Sequence, residues 1–201
     1  MKSTTLRFSG VSGDAGIARV LSNVYCARVL DTAFTEVGVA SRRDATWIIL
    51  AAPFAPPTKR DEFAVRERAL DLVNAARSTP RRCGTQPFAA VPPMRASPLL
   101  EAAAEAHALD MAERDYFEHA GADGSTPAER VGRTGYRWRV VGENLAAGPT
   151  TAEDVVAGWL ASPHHCANMM DGRFTEMGLA YAVDRRSTSG IYWAQVFGTP
   201  K

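Results

Sequence analysis

Apolar residues recur at helical spacing through the middle of the chain and give way to near-continuous apolar runs at its end. In DEFAVRERALDLVNAARSTP, Val65, Ala69, Leu72, Val73 and Ala76 share one helical face, and Pro80 stops the run. SPLLEAAAEAHALDMAERD begins with Ser97 at an N-cap position and Pro98 at the first helical position. TPAERV uses the same device: Thr126 caps, Pro127 begins, and Glu129 completes a capping box. TTAEDVVAGWLASP predicts a fourth helix that ends before Pro163. Two β-like runs, MGLAYAV and IYWAQVF, flank DRRSTSG, whose length and glycine suit a hairpin loop. Helices first and antiparallel strands late make an α+β layout.

A shorter set of elements precedes this body. TTLRFSG reads as extended, a helix is expected near Ala15–Val29, and EVGVA (Glu36–Ala40) and TWIILAA (Thr46–Ala52) read as strands. AAPFAPPTKRD follows, with three prolines that fix φ and remove backbone donors, so it reads as a linker. The expected division is a partial unit over residues 1–54, a proline-rich linker over 55–60 and a main domain over 61–201.

The first unit repeats the end of the second. CARVLDTAFTEVGVA (Cys26–Ala40) aligns without a gap on CANMMDGRFTEMGLA (Cys166–Ala180), with eight of fifteen positions identical. Each copy then reaches a tryptophan, Trp47 or Trp193, in an apolar strand running to Phe54 or Phe197. The first copy has no front half, and Tyr25 stands where His165 stands. Three elements are too few to bury a sufficient core, so the first unit is expected to dock on the body.

Composition narrows the function classes. The 201 residues are 46% hydrophobic with a net charge of +1, enough for a folded core and without the basic patch of a nucleic-acid binder. No apolar stretch approaches the roughly 20 residues that span a bilayer. The opening MKSTTLRFSGVSGDAG has no apolar core of a secretory signal, so either the protein stays inside the cell or its signal lies outside this sequence. Three cysteines leave the compartment open, since two can pair and one is left over.

Candidate chemistry concentrates on histidines. His119 lies in a loop beside glycines and acids, and His165 follows a Ser-Pro helix start that its imidazole can simply cap. Glu143 follows a glycine and can satisfy backbone donors in a turn as readily as line a cleft. His107 shares a face with Leu100, Ala103, Ala104 and Met111 and reads as a packed core histidine with a partner for its ring nitrogen. His164 reads as exposed at a rim. Ser162 precedes a proline at a helix end and reads as a cap before it reads as a nucleophile. No H-E-x-x-H, G-x-S-x-G or P-loop pattern is present.

From about Asp61 to Pro200 the chain resembles the CAP superfamily (cysteine-rich secretory, antigen 5, pathogenesis-related 1) in its short bacterial SCP-like form. The resemblance rests on LVNAARSTPRRCG, LLEAAAEAHALDMAERDYFEHAGADGSTPAERVGRTGY, VGENLAAG, VVAGWLASPHHCANMM, FTEMGLAYAV and IYWAQVFG. It implies a three-layer α–β–α sandwich with an antiparallel sheet, export from the cytoplasm with the signal absent from this sequence, and a cleft lined by two histidines and acidic residues that can hold a divalent metal. Carried over residue by residue, the cleft positions are His119 in YFEHAGADG, Glu143 in GENLA and His165 in SPHHC. His164 and Cys166 depart from the common Gly-His-Arg pattern there. Eukaryotic members have a second glutamate three residues after the helix tryptophan, and counting from Trp159 gives Ser162, so that ligand is missing. Water, or a side chain such as Glu176, is left to complete the shell of a weakly held zinc ion. The resemblance also implies a Cys83–Cys166 disulfide, with Cys26 unpaired and expected to be buried as a small hydrophobe. The function so implied is an exported binding module for an envelope lipid, glycan or peptide. The alternative is a metal-dependent hydrolase, because zinc with three protein ligands keeps an open water position.

Overall fold

Proline and capping residues delimit the helices where the periodicity places them. The computed structural model describes residues 2–11, 13–32, 34–43 and 45–201. These fall into two units, Met1–Ala55 and Pro56–Lys201, with the boundary inside the proline-rich segment.

In the first unit, strand β1 (Lys2–Ser9), helix α1 (Asp14–Val24), the single-turn helix α2 (Cys26–Val29), β2 (Glu36–Arg42) and β3 (Ala45–Ala52) follow one another. The strands form an antiparallel sheet in the order β1-β3-β2. The unit has a small core of its own. Leu6, Phe8, Ile48 and Leu50 are buried, and Ile17, Val20, Leu21 and Tyr25 pack against them. Tyr25, which aligns with His165, meets Phe8 edge-on at 5.6 Å. Cys26 is exposed rather than buried. Among the described residues its helix has none buried.

The second unit is mixed α+β. Helix α3 (Glu62–Arg77) is followed by the short strands β4 (Arg81–Cys83), β5 (Gln86–Phe88) and β6 (Arg95–Ala96). Helices α4 (Pro98–Arg114) and α5 (Pro127–Arg133) precede strand β7 (Trp138–Ala147). Helices α6 (Ala152–Ala161) and α7 (Pro163–Met170) lead to the hairpin β8 (Glu176–Val183) and β9 (Ile191–Pro200). The main sheet runs β6-β8-β9-β7, antiparallel except for β6 beside β8. The Thr126 capping box is formed, and Thr151 caps α6 by accepting from Asp154 N–H. Ser97 holds the N-cap position of α4 without a side-chain cap bond, and its N–H joins Met177 O at 2.9 Å instead. Thr58, at the end of the proline-rich segment, accepts from Tyr181 Oη at 2.7 Å, so this part of the expected linker belongs to the body.

Helix α4 presses on the sheet through small residues. A Cβ on Gly178 would stand 2.1 Å from Glu101 N, and one on Gly198 would strike Tyr136 and Leu100. The core around α4 joins Leu100, Ala104, Ala108 and Met111 to Tyr192, Ala194 and Val196 of β9. Side chains alternate across a strand, so Asn144 and Gln195 leave the sheet on the opposite face and meet there at 3.1 Å.

Three ties hold α7. Cys166 is bonded to Cys83 of β4, and both are buried. The fully buried Arg77 of α3 donates to Pro92 O, Met169 O, Asp171 O and Phe174 O, so its guanidinium is satisfied by backbone alone. Asn144 Nδ2 donates to His165 O at 3.2 Å, and Asn168 Nδ2 to Asn144 Oδ1 at 2.9 Å.

Candidate functional site

Glu143 sits inside strand β7, not in a turn as a carboxylate after glycine suggests. It pairs with Val196 of β9 and is 7% exposed. A buried carboxylate is costly unless paired, and each of its oxygens has a partner. Oε1 accepts from His119 Nδ1 at 2.8 Å and Oε2 from Arg130 Nη2 at 2.8 Å. Arg130 is itself buried, and it also donates to His119 O at 2.9 Å and Ser125 O at 2.8 Å. One guanidinium therefore fixes both the carboxylate and the loop that carries the histidine. With Nδ1 bonded to Glu143, Nε2 is the ring nitrogen of His119 left for another partner. The His119 side chain is 57% exposed, so this nitrogen belongs to a group solvent can reach.

His107 lies behind this pair. Its Nε2–H donates to Glu118 O at 2.9 Å, and the same nitrogen is 3.9 Å from Glu143 Oε1. Burial is the main influence on its titration and holds the imidazole below its usual range, although Glu143 opposes that shift.

His165 projects from α7, the helix tied to α3, β4 and β7. Burial pushes its imidazole below the usual histidine range, and the neighbouring His119 and His164 add to the shift. His119 is thus close enough to oppose protonation of His165. His164 is exposed. Ser162 is the N-cap residue of α7 but makes no side-chain cap bond, its backbone O accepting from Cys166 N–H. The structure does not bring Glu176 to the imidazoles. Its Oε2 accepts from Tyr136 Oη at 2.8 Å, and Oε1 lies 3.8 Å from Arg95.

The residues available for a metal ion follow from these bonds. Each Glu143 oxygen already accepts one bond, and a cation beside it would face the Arg130 charge. Among the described residues no group of three or more His, Cys, Asp or Glu is placed to hold a metal ion. Glu143 orients His119 from behind, as carboxylates commonly do for ligating histidines. Arg130 was not singled out from sequence. Its only signal is an arginine on the inward side of a capped helix one turn after the cap.

Comparison with known proteins agrees with this architecture. The sequence profile of CAP, the cysteine-rich secretory protein family, matches residues 70–197. The chain belongs to the CAP family. It is 29% identical over 134 residues to the uncharacterized protein YkwD of Bacillus subtilis (strain 168), an overlap of 67% of this chain and 47% of that protein. The chain therefore spans about half the length of that relative. In structure it is similar to an extracellular protein containing a SCP domain from Bacillus anthracis str. Ames, with a TM-score of 0.58 and 16% identity over 87% of this chain and 70% of that one. It is also similar to an outer surface protein from Borrelia burgdorferi, with a TM-score of 0.54 and 21% identity over 72% of this chain and 96% of that one. At such identities the likeness is one of fold. Among the described residues no helix is long and apolar enough to cross a membrane.

Proposed function

We propose that this chain is an exported binding module whose cleft at His119 and His165 takes a lipid, glycan or peptide of the cell envelope. The observation that carries this reading is the state of Glu143. A carboxylate pinned between Arg130 and His119 is not poised to take a proton from water, because both oxygens already accept charge-assisted bonds. The site thus offers imidazoles for binding rather than a free carboxylate.

Export is supported by the Cys83–Cys166 disulfide, since such bonds persist in oxidising compartments. It is supported too by the extracellular and outer-surface descriptions of the two structural relatives. Helices meeting both faces of the main sheet support the three-layer sandwich, and the helix-then-hairpin order of both units supports a partial duplication. In this reading a divalent metal, zinc by its taste for imidazole, binds weakly through His119 and His165, and it shapes the cleft.

The test is the full chain incubated with a panel of peptide and ester substrates, alongside zinc titration calorimetry. No turnover is expected, with weak zinc binding in the parent and none in the His119→Ala/His165→Ala double variant. Turnover abolished by a chelator and by His119→Ala would establish the metal-dependent hydrolase instead. Zinc binding that survives in the double variant would remove the metal from the cleft.

A further inference from the structure

Strand β2 is an outer strand of the first unit's sheet, with β3 on one side of it and, among the described residues, no strand on the other. Its pairing with β3 runs without a shift from Glu36, opposite Ala51, to Arg42, opposite Ala45. In an antiparallel ladder alternate residues turn their N–H and C=O away from the neighbour. The outer edge of β2 therefore carries a row of backbone donors and acceptors that β3 does not use. Such an edge is a template for another strand, and folded proteins commonly blunt it with proline, a bulge or charge. Here there is no proline and no bulge, and the only two charges stand at the strand's ends.

The body shows what closes such an edge. Glu36 aligns with Glu176 of β8, and Gly38 with Gly178. The outer edge of β8 is closed by β6, in which Arg95 stands opposite Glu176 and brings its guanidinium to 3.8 Å from the carboxylate. Strand β2 keeps the glutamate and lacks the neighbouring strand with its arginine. Among the described residues no ion pair engages Glu36 or Arg42, and both are exposed.

The strand is complementary to itself. Two copies of β2 laid antiparallel about Val39 set Glu36 opposite the partner's Arg42 at both ends of the pair. Directly opposite residues share a face, and opposite charges there stabilise the pairing while like charges oppose it. Centring the pair on Gly38 or on Ala40 would set Arg42 against Phe34 or Gly38, so the charges select one register. The other face gains as well. Val37 and Val39 lie opposite the buried Leu50 and Ile48 of β3, on the same side of the sheet, yet they are 66% and 64% exposed. Pairing about Val39 brings the two copies' valines together and continues that apolar side across the junction.

We propose that β2 is a dimerisation edge, through which two copies of this chain join their three-stranded sheets antiparallel about Val39, with Glu36 paired to the partner's Arg42.

The experiment is sedimentation velocity of the full chain over a concentration series. All samples carry Cys26→Ser, so that the exposed thiol cannot link two copies. The parent is compared with Glu36→Arg, with Arg42→Glu and with the Glu36→Arg/Arg42→Glu double variant. The parent should dimerise reversibly. Each single reversal sets like charges opposite one another at both ends and should raise the dissociation constant by about tenfold or more. The double reversal restores opposite charges and should bring the constant back to within about threefold of the parent. Hydrogen exchange should slow further in residues 36–42 of the parent as it dimerises, and it should not do so in either single variant. Circular dichroism reports whether each variant is folded. A parent that stays monomeric overturns the proposal and leaves the edge to a strand of another protein. It is overturned too if the single reversals dimerise as the parent does, if the folded double variant stays monomeric, or if the added protection lies outside residues 36–42.

Discussion

The segments Cys26–Ala40 and Cys166–Ala180 share eight of fifteen residues, and each runs from a helix into a hairpin, yet the same side chains meet opposite surroundings. Gly178 lies so close to α4 that any Cβ would collide with the Glu101 backbone, whereas Gly38 has nothing within 4 Å of where a Cβ would be. Cys166 is buried in a disulfide, and Cys26 is exposed. Strand β8 is buried from Met177 to Ala182, and β2 is exposed along its whole length. A local pattern sets the order of elements. What packs over them decides whether a glycine or a cysteine is obligatory.

The largest difference should come from the cysteines. Replacing Cys83 and Cys166 together by serine should destabilise the body by about 4 kcal/mol, the chain-entropy value for a closure of 83 residues. Cys26→Ser should leave urea denaturation midpoints unchanged. Equal effects from the two replacements would break the comparison.

The glycines should then differ in sign. Gly178→Ala forces backbone against backbone and should cost about 3 kcal/mol in urea denaturation. Gly38→Ala enters open space in a strand and should gain about 0.5 kcal/mol by restricting the unfolded chain. A loss at Gly38 comparable with that at Gly178 would show that something covers β2 in solution.

The smallest effect concerns the body's hairpin loop. Asp115 accepts from Tyr192 Oη at 2.7 Å and from both the N–H and the hydroxyl of Thr188 at 2.8 Å. The Tyr192 bond, followed by those from Thr188, holds its carboxyl below the ordinary aspartate range. A depressed folded pKa stabilises fully above the unfolded value, about 3.9, and the benefit is lost as pH falls through the folded value. Asp115→Asn should therefore melt below the parent at pH 6, and the gap should close below about pH 3.9. A gap that persists at pH 2 would assign the loss to shape rather than charge.

Much of this was legible in the chain. Helices α3 to α6 and the β8–β9 hairpin carry their own periodicity, caps and turn residues, so local physics places them. Strand β7 does not. WRVVGENLAA breaks its apolar run with Gly142, Glu143 and Asn144, and it is a strand because β9 pairs with it. Glu143 and Asn144 are buried because Arg130, Gln195 and α7 meet them from elsewhere in the sequence. Strands β4, β5 and β6, two or three residues long, are too short to show a period. The positions His119, Glu143 and His165 came from family resemblance. Their bonding did not, since Glu143 is held by Arg130 and His119 from distant parts of the chain. The pairing of Glu176 with Tyr136 likewise depends on a contact forty residues apart.

The Arg77 guanidinium, closed on four backbone carbonyls, has a consequence for the dynamics of the cleft. An isolated helix of eight residues is marginal in water and frays. Helix α7 has its C-terminal carbonyls held by α3, its Cys166 by β4 and its His165 carbonyl by β7. Opening this helix alone would strand a buried cation, so its amides are expected to exchange with solvent only through unfolding of the whole body. The imidazole of His165 thus belongs to the cooperative unit and not to a mobile rim. Any ligand that uses it is linked thermodynamically to α3, β4 and β7, and its binding energy is shared by elements it never touches.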